Sequence, residues 1–411
     1  MTDGSASLLA TTVREEWGRL TALLLARYRR LDLVEDALGD AVEAAARTWP
    51  IDGTPDKPAA WLHTTASRRI IDRLRSEAVA QRAEPLLVIE SSRREGGRVM
   101  ADPGALVEDD LLRLVLMCTH PALAPEAASA LALRLVLGVP TPDIARLFLV
   151  PEATMAARIT RAKKKIVGAG IPFGVPDATV LPDRLDSVAQ TAYLAFTAGY
   201  SPGTGADLLR AELSGQAIGL VRVILALRPS EPVLVALLAL ILFQHSRRDA
   251  RVLDGRLVLL TDQDHALWHH DEIAEARRLL DADVLRGPMT VQAAAYTLQA
   301  RIAAEHASSD TRWERIVGWY DALLDIAPTP SARLARSVAV AEARGPAAGL
   351  AALEGIEIPT THRVAAVRAE LLSRSGEIDA ARAAYDQAIA ACLNEVERAH
   401  LEAQRDALTA G

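Results

Sequence analysis

Residues 142–166, PDIARLFLVPEATMAARITRAKKKI, read as two short helices around a tight break, with a basic tail on the second. Thr141 is a good N-cap and Pro142 suits a first helical position, so the first helix is expected to begin there. Leu149-Val150 leads into Pro151, which starts the second. Along that second helix Met155, Ile159, Ala162 and Ile166 recur at helical spacing and define one buried stripe. The opposite face carries Ala153, Ala157, Thr160, Arg161 and Lys164, flanked by Arg158, Lys163 and Lys165. From Val150 to Gly168 there are five basic residues and one acid, in a chain whose formal net charge is -7. A short helix, a tight turn and an amphipathic second helix with a basic face describe a helix-turn-helix, which sets its second helix in the DNA major groove. The same pattern also fits a solvated charged hairpin, and Ala156 and Ala157 offer no hydrogen bonds to bases.

The rest of the chain sets limits on this unit. Its 411 residues suggest two to four domains. Half the residues are apolar but only 4% are aromatic, a balance that predicts an all-α protein. Cys118 and Cys392 form no CxxC or Cys/His spacing, so neither a disulfide framework nor a zinc site is expected. The N-terminus lacks the charge and apolar core of a signal peptide, and Val233 to Phe243 is too short to span a bilayer. A cytoplasmic protein without membrane contact is expected. No nucleophile–base pair, phosphate loop or carboxylate pair stands out, so neither an enzyme nor a cofactor site is expected.

Helical periodicity covers residues 8–30, with Leu9, Val13, Leu20, Leu23 and Leu24 near one face, and residues 33–48, which Asp32 can cap and Trp49-Pro50 ends. The loop PIDGTPDKP is irregular, and Pro58 opens a third helix. These make a first domain, 1–77. A linker, 78–108, precedes the helix-turn-helix domain, 109–170; a connecting helical domain, 171–290, and a repeat-like region, 291–411, follow.

The segment GVPTPDIARLFLVPEATMAARITRAKKKI resembles region 4 of bacterial sigma factors of the extracytoplasmic-function class, the reader of the promoter -35 element. Ile144, Ala145, Leu147, Thr154, Arg158, Arg161 and Ala162 match the usual pattern. The family's Lys-Ser falls on Ala156 and Ala157, and its Ser cap on Pro151. A second match, LVEDALGDAVEAAARTW, resembles region 2.2, the helix that docks on the polymerase beta-prime coiled coil. Asp36, Asp40 and Glu43 there share one face suited to a basic partner. The family Gln is Gly39, which weakens the helix by about 1 kcal/mol relative to Ala.

A third match, PAAWLHTTASRRIIDRLR, resembles regions 2.3 and 2.4 through Trp61, Leu62, Ala66, Ile71, Asp72 and Arg75, with Arg68 in place of the family Asn. In such proteins the preceding loop captures a flipped -10 base and the helix tracks the separated strand. Arg68, Arg69, Arg73 and Arg75 can neutralise phosphates, and loop residues 52–58 are stiffened by Pro55 and Pro58. Trp61 suits either core packing or a base contact; Asp72 suits a role in holding neighbouring arginines.

The resemblance therefore implies a sigma factor that binds core RNA polymerase through its beta-prime and beta subunits, together with promoter DNA. Polymerase would meet Asp36, Asp40 and Glu43. The -10 element would meet Lys57, Trp61, Arg68, Arg69, Asp72, Arg73 and Arg75. The -35 element would meet Glu152, Thr154, Ala157, Arg158, Thr160, Arg161 and Lys164. A stand-alone helix-turn-helix regulator and a helical protein-protein adaptor are the alternatives.

More than half the chain lies beyond region 4. RVAAVRAELLSRSGEIDAARAAYDQAIAAC has tetratricopeptide-like spacing at Ala369, Leu372, Gly376, Ala380, Ala381, Tyr385 and Ala388. Gly345 precedes Gly376 by close to the roughly 34-residue period of such repeats. RWERIVGWYDALLDIAPTP looks like the second helix of an earlier unit. Residues 185–285 resemble the connecting region of the sigma subgroup with this extension, the usual N-E-G-Y appearing as Thr197-Ala198-Gly199-Tyr200. A regulatory protein, or the sigma domains themselves, is the expected partner of these helices. In TDQDHALWHHDE, His265 and His269 stand one helical turn apart beside His270, but Asp262 and Asp264 are expected to act as helix caps, and no metal is expected.

Overall fold

The computed structural model describes residues 3–81, 103–148, 150–200, 211–253, 256–258, 260–308, 311–358 and 362–408. Among the described residues the fold is all-α apart from one two-residue ladder, and the chain divides into two compact units, 1–146 with 150–191, and 147–149 with 192–411. Among the described residues no helix is long and apolar enough to cross a membrane.

The first unit opens with α1 (Asp3–Tyr28), α2 (Leu31–Asp52) and α3 (Pro58–Gln81). Leu20, Leu24, Leu25, Val34, Leu38, Leu62 and Ile70 are buried there. Arg29, at φ 55°, turns the chain between α1 and α2. Asp32 does not cap α2: Arg30 occupies that position, and its guanidinium bonds Asp32 (2.7 Å) and Glu77 (2.9 Å), fastening the start of α2 to the end of α3. Nor does α2 stop at Trp49-Pro50. Pro50 sits in its last turn, and the helix ends where Gly53, at φ 88°, donates its N–H to the Trp49 carbonyl. A proline without an N–H forfeits one helical bond, but so close to the end it does not break the helix.

Residues 82–102, most of the expected linker, lie outside the described residues; its ends are helical, in α3 and in α4 (Pro103–Cys118). Next come α5 (Pro125–Val136), α6 (Thr141–Leu147) and α7 (Glu152–Gly168). Thr141 is the first residue of α6 rather than its cap, since Asp143 and Ile144 donate to the Pro140 carbonyl. Pro151 is the N-cap of α7, one residue before the helix proper. The first part of α8 (Leu181–Tyr200) completes the unit: the Ser129 hydroxyl donates to the Thr191 carbonyl (2.9 Å), and Arg184 to that of Leu116 (2.5 Å).

In the second unit α9 (Ala211–Leu227) precedes α10 (Pro232–His245), whose run from Val233 to Phe243 is wholly buried. That apolar stretch is a core helix, as its length requires. The ladder pairs β1 (Val252–Leu253) with β2 (Arg256–Leu257), antiparallel. Then follow α11 (His270–Leu280), α12 (Val291–His306), α13 (Trp313–Ile326), α14 (Pro330–Arg344), α15 (Pro346–Leu353), α16 (Arg363–Arg374), α17 (Ile378–Ala391) and α18 (Glu395–Ala407). From α13 to α18 each helix packs mainly on its sequence neighbours. Ala369, Ala384, Tyr385, Ala388, Cys392 and Leu401 form the core between α16, α17 and α18.

Candidate nucleic-acid interface

On α7, Met155, Ile159, Ala162 and Ile166 are buried, as the periodicity requires, and this stripe rotates the remaining side chains outward. Glu152, Thr154, Ala156, Ala157, Thr160, Arg161 and Lys164 are exposed; Arg158 is half-buried. Arg161 donates from Nε to the Ala157 carbonyl (3.2 Å), so its side chain lies back along the helix over the short alanine. A larger residue at Ala157 would compete for that space.

Lys163 points the other way. Its ammonium meets the Glu35 carboxylate of α2, which also receives Arg134 of α5 at 2.6 Å. The Glu35 side chain is 11% exposed. Burial acts to raise its pKa, yet the Lys163 ammonium and the Arg134 guanidinium outweigh burial and hold it below the usual carboxylate range. The Arg134 guanidinium also lies 5.7 Å over the Trp17 ring, while Trp17 Nε1 donates to the Arg134 carbonyl (3.1 Å). Gly138 supports the contact: at φ 71° a Cβ there would sit 2.7 Å from the Trp17 ring. One network thus joins α1, α2, α5 and α7.

The acidic face on α2 is outward, with Asp36 and Glu43 exposed and Asp40 half-buried. Arg73 of α3 reaches across to Asp36 (3.2 Å) and Asp40 (2.9 Å), and Arg47 approaches Glu43 at 3.8 Å. Arg73, expected against phosphate, therefore sits on the carboxylates expected against polymerase. Pairs this exposed contribute about 0.2–1 kcal/mol, so a competing partner displaces them at little cost. Arg68, Arg69 and Lys57 are exposed, and Arg75 pairs with Asp72 at 3.7 Å. Trp61 is half-buried and meets the buried Trp49 edge-on, with centroids 5.6 Å apart.

Two family models cover these helices: Sigma-70 region 2 matches residues 13–79, and Sigma-70, region 4, matches residues 113–166. An uncharacterized protein of Rhizobium meliloti (strain 1021) is 41% identical over 398 residues, covering 94% of this chain and 92% of its own length. The chain belongs to the sigma-70 family. It is a sigma factor with a C-terminal helical extension, part of which, residues 184–284, matches a family of unknown function (DUF6596). In this sigma factor the region 2 match runs from within α1 through most of α3, and the region 4 match from within α4 through most of α7. The Glu35 network therefore ties the two regions within one compact unit. Neither Glu35, Trp17, Arg134 nor Gly138 stands out in the sequence. The one signal was an acid, Glu35, falling on the apolar side of α2 among Leu31, Val34 and Leu38.

His265 and His269 have different partners. His265 stacks on Trp268 at 4.1 Å, whereas His269 bonds Asp249 (2.7 Å) and Arg248 (3.0 Å). Asp264 caps a short 3-10 turn at His265, accepting from the Ala266 N–H, and the α-helix itself starts at His270.

Proposed function

We propose that this sigma factor belongs to the extracytoplasmic-function class, acts in the cytoplasm and initiates transcription without covalent chemistry of its own. Core polymerase docks on Asp36, Asp40 and Glu43, displacing Arg73. The exposed face of α7 reads the -35 element: Arg158, Thr160 and Arg161 contact it with Glu152, Thr154 and Lys164 alongside, and Ala157 permits a close approach at a thymine methyl. Lys57, Trp61, Arg68, Arg69, Arg73 and Arg75 hold the opened -10 strand, with Asp72 positioning Arg75. The observation that carries this reading is the outward basic face of α7, set against a fully buried stripe, in the same unit as the acidic face of α2. Start-site-specific transcripts from core polymerase plus this protein test it; none should form with core alone. DNA binding that is unaffected by polymerase, without initiation, would instead indicate a stand-alone regulator.

The extension is proposed to be a tetratricopeptide-like array that regulates this activity in cis or through a protein partner, supported by its neighbour-on-neighbour helix packing and a groove along its later helices. A chain ending after residue 200 keeps the Arg184 and Ser129 contacts of α8 intact. If it equals the full chain in both promoter activity and partner binding, the regulatory role is wrong.

A further inference from the structure

The extension brings together three side chains that no sequence spacing connects. His362 stands just before α16, Cys392 just after α17, and Glu397 in the first turn of α18. His362 Nε2 lies 3.1 Å from Glu397 Oε2 and 3.8 Å from Cys392 Sγ, and one donor atom from each falls within 4.8 Å of the others. Among the described residues, this is the group of histidine, cysteine and acid whose ligand atoms converge.

Two of the separations, 3.1 and 3.8 Å, bracket those a metal imposes. Zinc bonds sulfur at about 2.3 Å and nitrogen or oxygen at about 2.0–2.2 Å, so tetrahedral ligands lie about 3.3–3.6 Å apart. Adjusting the observed distances to these requires only rotamer-scale movement. The carboxylate is held ready for it: Asn394 Oδ1 accepts from the Val396 and Glu397 N–H groups, fixing the start of α18. Thiolate, imidazole and carboxylate together form a borderline-soft donor set, suited to Zn²⁺ and its neighbours rather than Mg²⁺ or Ca²⁺. Cys392 is 3% exposed, whereas His362 and Glu397 face a groove of about 740 Å³ that Tyr385, Glu370 and His400 also line.

We propose that His362, Cys392 and Glu397 form a zinc site that clamps α16, α17 and α18, with its fourth position open to the groove. Binding replaces the thiol S–H, which donates to the Asn394 carbonyl at 3.3 Å, by a metal–thiolate bond, and the proton leaves to solvent. Neutral His362, whose Nε2–H bonds Glu397 before binding, carries its proton on Nδ1 once Nε2 meets the metal, and Glu397 exchanges that bond and its pairing with Arg363 at 3.9 Å for the metal. An open position beside an apolar groove suits a water or a donor atom of a bound peptide.

The test uses the full-length reduced chain, freed of metal by chelation and titrated with Co²⁺. One equivalent is expected to produce the visible bands of tetrahedral cobalt and a near-ultraviolet thiolate-to-cobalt band, both removed by stoichiometric Zn²⁺. Cys392→Ser should abolish the thiolate band, whereas Cys118→Ala, in the first unit, should keep it. Because Cys392 is buried, Glu397→Gln supplies a second reading with less risk to folding: affinity should fall by at least the roughly 10- to 100-fold typical of losing an outer-shell partner. Absence of a thiolate band, its survival in Cys392→Ser, or unchanged affinity in Glu397→Gln would each overturn the site.

Discussion

Replacing Glu35 with glutamine leaves Lys163 and Arg134 in place but removes the carboxylate that neutralises both. Breaking a buried ion pair from one side costs about 3–5 kcal/mol, because the remaining charge is stranded. Lys163 and Arg134 are each 22% exposed and regain part of their hydration by turning outward, so the expected loss is about 2 kcal/mol, roughly 30-fold in the opening equilibrium. Amide hydrogen exchange resolved to α1, α5 and α7 measures this locally, which matters in a chain of two units where one global transition is not assured. Lys163→Met should cost less, since Arg134 still holds Glu35, and the double variant should lose less than the sum, a coupling of about 0.5–3 kcal/mol. The pH dependence has a definite sign. The folded pKa of Glu35 lies below its ordinary 4.5, so its contribution is complete above that value and disappears as pH falls through the folded pKa. Glu35→Gln should flatten that acid-side decline. Protection within about 0.5 kcal/mol of the wild-type chain, with no coupling to Lys163, would refute the proposed tie between region 2 and region 4.

Gly138→Ala should destabilise the same interface by about 1–3 kcal/mol, through left-handed strain and collision with Trp17; unchanged exchange in α1 and α5 would argue against close packing there. His306 is half-buried against Trp313, and its loss of solvent, aided by Arg247, lowers its pKa to about 4. The second unit should therefore be at full strength above about pH 6.5 and lose on the order of 3 kcal/mol as pH falls towards 4. In chemical denaturation His306→Phe should remove much of that slope; an identical pH profile would count against a neutral half-buried imidazole. Arg161→Ala should weaken -35 recognition by about 1–3 kcal/mol at one base position, whereas a uniform loss over all sequences would mark a phosphate contact. Ala157→Ser should change base preference, and an unaltered promoter profile would contradict major-groove docking of this face.

Local pattern revealed some of this molecule and left the rest hidden. The α7 stripe was legible because burial there follows a single helical period: Met155, Ile159, Ala162 and Ile166 are all inside. The outward turn of Asp36 and Glu43 was legible for the same reason. Their engagement by Arg73 was not, because it depends on how α3 crosses α2. The Glu35 clasp spans 99 positions to Arg134 and 128 to Lys163, beyond the reach of any periodicity. Lys163 itself read as one more charge on a basic face, until packing placed it on the flank turned towards α2. The group formed by His362, Cys392 and Glu397 was illegible because its ligands come from three helix ends rather than one motif. Helix starts were displaced by a residue or two where backbone hydrogen bonds, rather than a capping side chain, set the first turn, as at Arg30, Thr141 and Pro151.

The most direct measurement is promoter-dependent transcription in vitro with purified core RNA polymerase, comparing the wild-type chain with Asp36→Ala/Asp40→Ala and with Arg161→Ala. The wild-type chain should yield transcripts from a defined start site. The acidic-face double variant should lose them together with polymerase binding, and Arg161→Ala should lose them while still binding polymerase. Transcripts that are absent with the wild-type chain on promoters to which it binds, or unaffected by both variants, would contradict the assignment of these two faces.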